Sequence, residues 1–174
     1  EDVVNTGQRP KFEEYDNGLY MVLKMLRFDR ESELVQSDQL SIFLGSNYLI
    51  SFHEKPVDVF KPVRERIRKH RGRIREYGPD YLAYAMLDTI IDNYIISIEA
   101  IGSRIEDLEE AVLDDPSNEV LNQITNYKRE INYLRKCIRP ARELIINFAK
   151  SDTEIINEKT THFLKDLQDL SSQA

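Results

Sequence analysis

An α+β fold follows from three features of the sequence. Up to residue 55 the chain carries short apolar runs split by turn residues. Pro56 marks a switch to helical patterning. Beyond Pro79, apolar residues in steps of four and three run out along one segment and back along the next. Together these predict a short, mostly antiparallel sheet, then a long antiparallel helical hairpin, then a C-terminal helix.

The strands come first. GLYMVLKMLRFD (18–29) is apolar and rich in β-formers, and the polar stretch RESELVQSD follows it. QLSIFLGSNYLISFHE (39–54) holds two apolar runs around Gly45, Ser46 and Asn47, a hairpin pattern. About three antiparallel strands are expected. Residues 58–75 are expected to be helical, with Val59, Val63, Ile67 and Ile74 as a partial stripe. Gly78 and Pro79 separate this helix from the next, glycine as a terminator and proline at a first turn.

The helical hairpin is the clearest element. Leu87, Ile91, Tyr94, Ile98, Ile101, Ile105, Leu108 and Val112 form an a/d seam. Asp114 to Ser117 make the turn. Val120, Ile124, Tyr127, Ile131, Leu134 and Ile138 repeat the spacing on the return, so 79–150 reads as one hairpin. Its first helix spans about 34 residues, roughly 50 Å at 1.5 Å per residue, so it must protrude or pack against another subunit. A last helix is expected from Ser151, where Ser151 and Glu154 form a capping-box pattern. Ile156, Thr160, Phe163, Leu167 and Leu170 form its seam. That seam is still running at Ala174, so the helix is expected to continue.

Composition limits function. The 174 residues carry a formal charge of −7, with 41% hydrophobic and 32% charged residues. That suits a folded domain and an acidic surface that favours cations over nucleic acid. Eight Lys and Arg between 61 and 75 could track phosphates, but no aromatic residue interleaves with them. The plainer reading is a solvated face, or one that neutralises acidic helices nearby. The lone cysteine, Cys137, fits a reducing compartment and reads as a small buried residue. No apolar run reaches the ~18–20 residues of a membrane span.

Nothing in the sequence supports an enzyme. There is no phosphate-cradling glycine loop, no HExxH and no CxxC, and His53, His70 and His162 stand apart. A nitrogen- or sulfur-rich metal site is not expected. Carboxylates are the richer material. Glu106, Asp107, Glu109, Glu110, Asp114, Asp115 and Glu119 crowd the hairpin tip. Asp88 and Asp92 lie one helical turn apart, as do Asp166 and Asp169. Acids so spaced are more often plain surface than ligands.

Four stretches together resemble the CorA-type magnesium/cobalt transporters. They are NTGQRPKFEEYDNGLYMVLKML (5–26), DVFKPVRERIRKHRGRIREYGPDYLAYAMLDTIIDNY (58–94), IEDLEEAVL (105–113) and YKREINYLRKCIRPARE (127–143). The likeness implies an α/β/α regulatory domain over 1–150, on the cytoplasmic face of the cell membrane. It also implies that 151–174 begins a stalk helix leading into membrane helices absent from this sequence. The partners it implies are four further copies in a homopentamer and divalent metal ions, not nucleic acid. Regulatory Mg2+, with Co2+ possible, is implied between subunits, where it favours the closed state. The carboxylates implied are Asp88, Asp166, Glu1 and Asp2. The chain departs from the family pattern at HFLKDLQDL (162–170), where Asp166 and Asp169 keep the acids but Leu170 stands in place of a histidine. The family's Gly-Met-Asn pore signature is also absent. A zinc-transporting relative and a coiled-coil scaffold are the alternatives.

Overall fold

The computed structural model describes residues 5–56, 58–114 and 117–172. Four strands, β1 (Lys11–Tyr15), β2 (Gly18–Asp29), β3 (Leu34–Leu44) and β4 (Leu49–His53), form an antiparallel meander in sequence order. Four helices follow: α1 (Lys61–Arg68), α2 (Pro79–Asp114), α3 (Asn118–Lys150) and α4 (Glu158–Ser171). The α+β class is therefore as expected, a sheet followed by long helices.

The sheet shows one strand beyond the expected three. β1 reads KFEEY, too short and charged to announce itself, and it becomes a strand by pairing with the strongly apolar β2. β3 also begins earlier than its apolar run. Residues Leu34 to Asp38, ahead of that run, extend the ladder opposite Asp29 to Met25, because β2 is long enough to template them. In the middle of the sheet, Leu19 faces Leu44, Met21 faces Ile42 and Leu23 faces Leu40. All six are buried, and they form the sheet's side of the core.

The 58–75 segment is not one helix. α1 stops at Arg68, and a separate 3-10 turn covers Gly72–Arg75. Two left-handed residues cause the break: His70 at φ 52° and Gly72 at φ 69°. Glycine takes that conformation freely; His70 takes it as the residue just past the α1 cap. Pro79 opens α2, as its placement predicts.

The first half of α2 lies over the sheet. Ala83, Leu87, Ile90, Ile91 and Tyr94 are buried, and the Tyr94 hydroxyl donates to the Lys24 carbonyl of β2. α3 returns alongside, starting at Ser117, whose hydroxyl accepts the Val120 N–H at 3.3 Å. Leu134, Cys137, Ile138, Ala141, Leu144, Ile145 and Phe148 bury its second half. Burial holds the Cys137 thiol pKa up, in keeping with an inert core thiol. Past Leu108 the hairpin opens to solvent: Leu113 is 85% exposed and Leu121 60%.

The last helix begins later than the capping box at Ser151 and Glu154 predicts. Ser151 instead ends α3, its N–H donating to the Phe148 carbonyl. Asn157 caps α4 by accepting the Lys159 N–H at 3.0 Å. The decisive contact is distant in sequence. Asp80 is 2% exposed, and its Oδ2 accepts the Asn157 N–H at 2.9 Å. Gly78 makes room for that carboxylate, since a Cβ there would fall 2.6 Å from Asp80 Oδ1. A buried acceptor from α2 thus sets where α4 starts. No helix among the described residues is long and apolar enough to cross a membrane.

Two substitutions test these anchors. Asp80→Ala leaves the Asn157 N–H unpaired and should cost about 1–3 kcal/mol in urea denaturation. Tyr94→Phe removes one hydroxyl from the core and should cost about 1 kcal/mol by the same measurement.

Candidate functional site

α4 runs parallel to α2. Phe163 lies against Tyr81 and Tyr84 near the start of α2, and Ser171 lies beside Ile98 and Ile101 further along. Aromatic contacts make the near end of this seam. Phe163 meets Tyr77, Tyr81 and Tyr84 with ring centroids 5.1–6.1 Å apart, mostly edge-on, and the Arg73 guanidinium sits 5.3 Å over its face. Tyr81 and Tyr84 are three apart and share one face of the start of α2, and Tyr77, just before the helix, packs edge-on against Tyr81.

The acids predicted from sequence lie next to this cluster. Asp88 follows Tyr84 by one turn, and Asp92 follows Asp88 by another. Asp166 follows Phe163 on α4. Tyr84 touches Phe163, and each acid lies one turn beyond one of these two rings. The Tyr84 phenol pKa is pushed up to about 12, first by burial, then by the Asp88, Tyr81 and Asp166 charges, with Arg66 pulling the other way. Because the two helices run parallel and Tyr84 meets Phe163, Asp88 and Asp166 follow on the same side of the α2–α4 seam.

The two acids differ in environment. Asp88 is half-buried and makes no hydrogen bond or ion pair among the described residues. Burial raises its pKa, the Asp92 charge adds to this, and Arg66 opposes both. Asp166 is exposed, with His162 Nε2 at 3.8 Å from its Oδ2 one turn back. Asp169 is exposed. Glu1 and Asp2 lie outside the described residues. Among the described residues no group of three or more His, Cys, Asp or Glu is close enough to hold a metal ion. Asp88 and Asp166 offer oxygen donors only.

The hairpin tip is a different environment. Glu106, Glu109, Glu110 and Glu119 are exposed, while Asp107 is tied to Arg104 at 3.4 Å. Arg104 also pairs with Glu33 in the β2–β3 turn. Part of the tip's charge is therefore neutralised within the fold. Asp115 lies outside the described residues.

Sequence reasoning missed Arg66, Arg73 and Tyr84. Neutralisation of nearby acids was one of three readings of the basic stretch, and the opposing effect of Arg66 on Asp88 is in keeping with it. The four-three spacing of the tyrosines was a usable signal for the aromatic cluster.

The CorA-like Mg2+ transporter protein family matches residues 1–174. The cobalt/magnesium transport protein CorA of Thermotoga maritima is 39% identical over 99% of this chain; the chain spans about half that protein's length (49%). The soluble domain of CorA from Methanocaldococcus jannaschii superposes with a TM-score of 0.78 at 18% identity, over 97% of this chain and 69% of that one. The ZntB cytoplasmic domain from Vibrio parahaemolyticus does so with a TM-score of 0.77 at 16% identity, over 99% of this chain and 67% of that one. At those identities the two structures speak for the fold alone. The family match extends over the whole length, including the helices that carry Asp88 and Asp166: the chain belongs to the CorA-like Mg2+ transporter protein family.

Proposed function

We propose that this chain is the ion-sensing and gating part of a divalent-cation transporter, with Mg2+ as its main ion and Co2+ as a second. Residues 1–150 form the sensing domain on the cytoplasmic face of the membrane, and 151–174 begin the helix that carries its state to the pore. The assembly is a homopentamer. One observation supports this reading above the others: Asp88, a half-buried carboxyl with no partner, shares the α2–α4 seam with Asp166.

The donor chemistry fits a hard cation. Mg2+ is held by one or two carboxylates and retains several waters, so an all-oxygen pair is a suitable partial site. A neighbouring subunit completes it; Glu1 and Asp2 are the candidates from that side. Without a cation, facing acids repel across the subunit seam and Asp88 bears a cost of burial that Arg66 offsets only in part. A bound divalent cation supplies the charge that offsets this repulsion. The acids on α2 and α4 then hold the subunits together, and α4 is kept in its closed position. Because only the assembled form is complementary, ion concentration shifts the population between the two forms. The scaffold alternative accounts for the helical seams but gives Asp88 no role.

In the intact transporter, Asp88→Ala combined with Asp166→Ala should raise the Mg2+ concentration needed for half-maximal inhibition of uptake at least tenfold. Unchanged inhibition in that double variant would refute the site. A second expectation concerns pH without metal. The folded-state pKa of Asp88 lies above its ordinary value, so the folded form binds more protons than the unfolded one between those two values. Stability should therefore fall as pH rises through that window. Asp88→Asn should remove this slope and raise the metal-free melting temperature at neutral pH, read by thermal denaturation across a pH series.

A further inference from the structure

Several cations of this chain are paired within the fold. Arg64 pairs with Asp58, Lys69 with Glu65 at 2.9 Å, Lys55 with Asp38 at 2.7 Å, and Arg104 with Glu33. A second group is not. Arg9, Arg135, Lys136 and Arg139 line one open concavity of about 690 Å3, together with Asn132 and Pro140. All four cations are exposed. Among the described residues Arg9, Arg135 and Lys136 make no ion pair and no side-chain hydrogen bond. Arg139 reaches Glu143, one turn further along α3, only at 3.9 Å. The chain has 31 Asp and Glu against 24 Lys and Arg, so these cations are not unpaired for want of acids.

Two parts of the chain build the group. Arg135 and Arg139 lie one turn apart on α3, with Lys136 between them and Asn132 one turn before. Cys137, Ile138 and Pro140 alternate with them and are buried, which fixes the rotation of the helix and turns the cations outward. Arg9 comes from the segment that leads into β1. Pro10 restricts the backbone directly after it. Phe12 then seats β1 against α3, with its ring centroid 6.1 Å from that of Phe148.

The lining selects by chemistry. Among the described residues no carboxylate and no aromatic ring lines this concavity. Without a carboxylate it repels metal cations. Without a ring it offers no platform on which a nucleic-acid base could stack. It does offer forked guanidinium donors, an ammonium and an amide, the donors that suit phosphate oxygens. Arg135 and Arg139 are about 6 Å apart along the helix axis at 1.5 Å per residue, a span that linked phosphates cover better than a single one. We propose that this concavity binds a polyphosphate anion, inorganic or nucleoside triphosphate, in its metal-free form. Mg2+ and the four cations compete for the same phosphate oxygens, so occupancy rises as free Mg2+ falls.

The test is isothermal titration calorimetry of sodium triphosphate into the intact transporter, held in uncharged detergent with no divalent ion added. At roughly 0.15 M NaCl, charges further than about 8 Å are screened, so only the lining should count. Saturable binding is expected. Arg9→Gln, Arg135→Gln and Arg139→Gln should each weaken it about tenfold. Lys128→Gln makes the same charge change two turns before Arg135 and should leave it unmoved. All of these positions are exposed, so the ligand-free melting temperature should stay the same. Triphosphate mixed beforehand with excess MgCl2 should bind about tenfold more weakly. Adenosine triphosphate should bind as sodium triphosphate does, and a short-chain soluble phosphatidylglycerol should not bind. The proposal is overturned by an absence of saturable binding, or by Lys128→Gln weakening it as much as Arg135→Gln, which would mean unspecific charge attraction. Tighter binding of the Mg2+-loaded anion would overturn it too. So would binding of adenosine triphosphate alone, which would point to the base, or of phosphatidylglycerol alone, which would point to a lipid-facing surface.

Discussion

The first half of α2 is shared among the sheet, α3 and α4, and the rest of the structure is arranged around that division. Ala83, Leu87, Ile90, Ile91 and Tyr94 are committed to the core, and the Tyr94 hydroxyl is locked to β2. Asp80 and the tyrosines are committed to α4. What remains of the helix surface is a narrow row through Asp88 and Asp92. A helix offers only about 3.6 residues per turn. With most of each turn already engaged, the acids have one direction left to face, and α4 is fixed beside them by the same contacts.

This arrangement accounts for the electrostatics. Asp88 is half-buried one turn beyond Tyr84 and lies outside the core cluster. Its raised pKa is the cost of that partial burial, and Arg66 opposes it only in part. Structural acids here are treated differently. Asp80 receives a backbone N–H, Glu130 receives that of Val35 at 3.1 Å, and Asp38 is paired with Lys55 at 2.7 Å. Against those three, Asp88 looks like a group whose partner comes from outside.

The long-period features were legible in the sequence, and the short-range ones were less so. The seams through Leu87 to Val112 and Val120 to Ile138 yielded α2 and α3 almost to their ends, because a repeat held over many turns has few competing explanations. β1 was invisible because its strand character comes from its neighbour β2, not from its own residues. The start of α4 was misplaced because a local capping pattern at Ser151 was outweighed by a buried carboxylate 77 residues away in sequence. Asp88 and Asp166 were identified by family resemblance. As bare i,i+3 and i,i+4 acids they carry no special signal, and only packing shows that Asp88 lacks a partner. Arg66 was hidden among eight basic residues, since composition cannot show which of them is half-buried without an ion pair among the described residues.

The hairpin's two halves rest on different support. Near the sheet, α2 is packed by strands, α3 and α4; past Leu108, the two helices have largely each other, and Leu113, Leu121 and Ile124 lie open to solvent. Backbone amides should therefore exchange with deuterium in a gradient along one continuous helix, slowly near Tyr94 and quickly near Val112. Such a helix is stiff at its root and loose at its tip. A displacement at the Asp88 end is then transmitted through α4, which shares the stiff half, and is dissipated along the hairpin, whose far half frays.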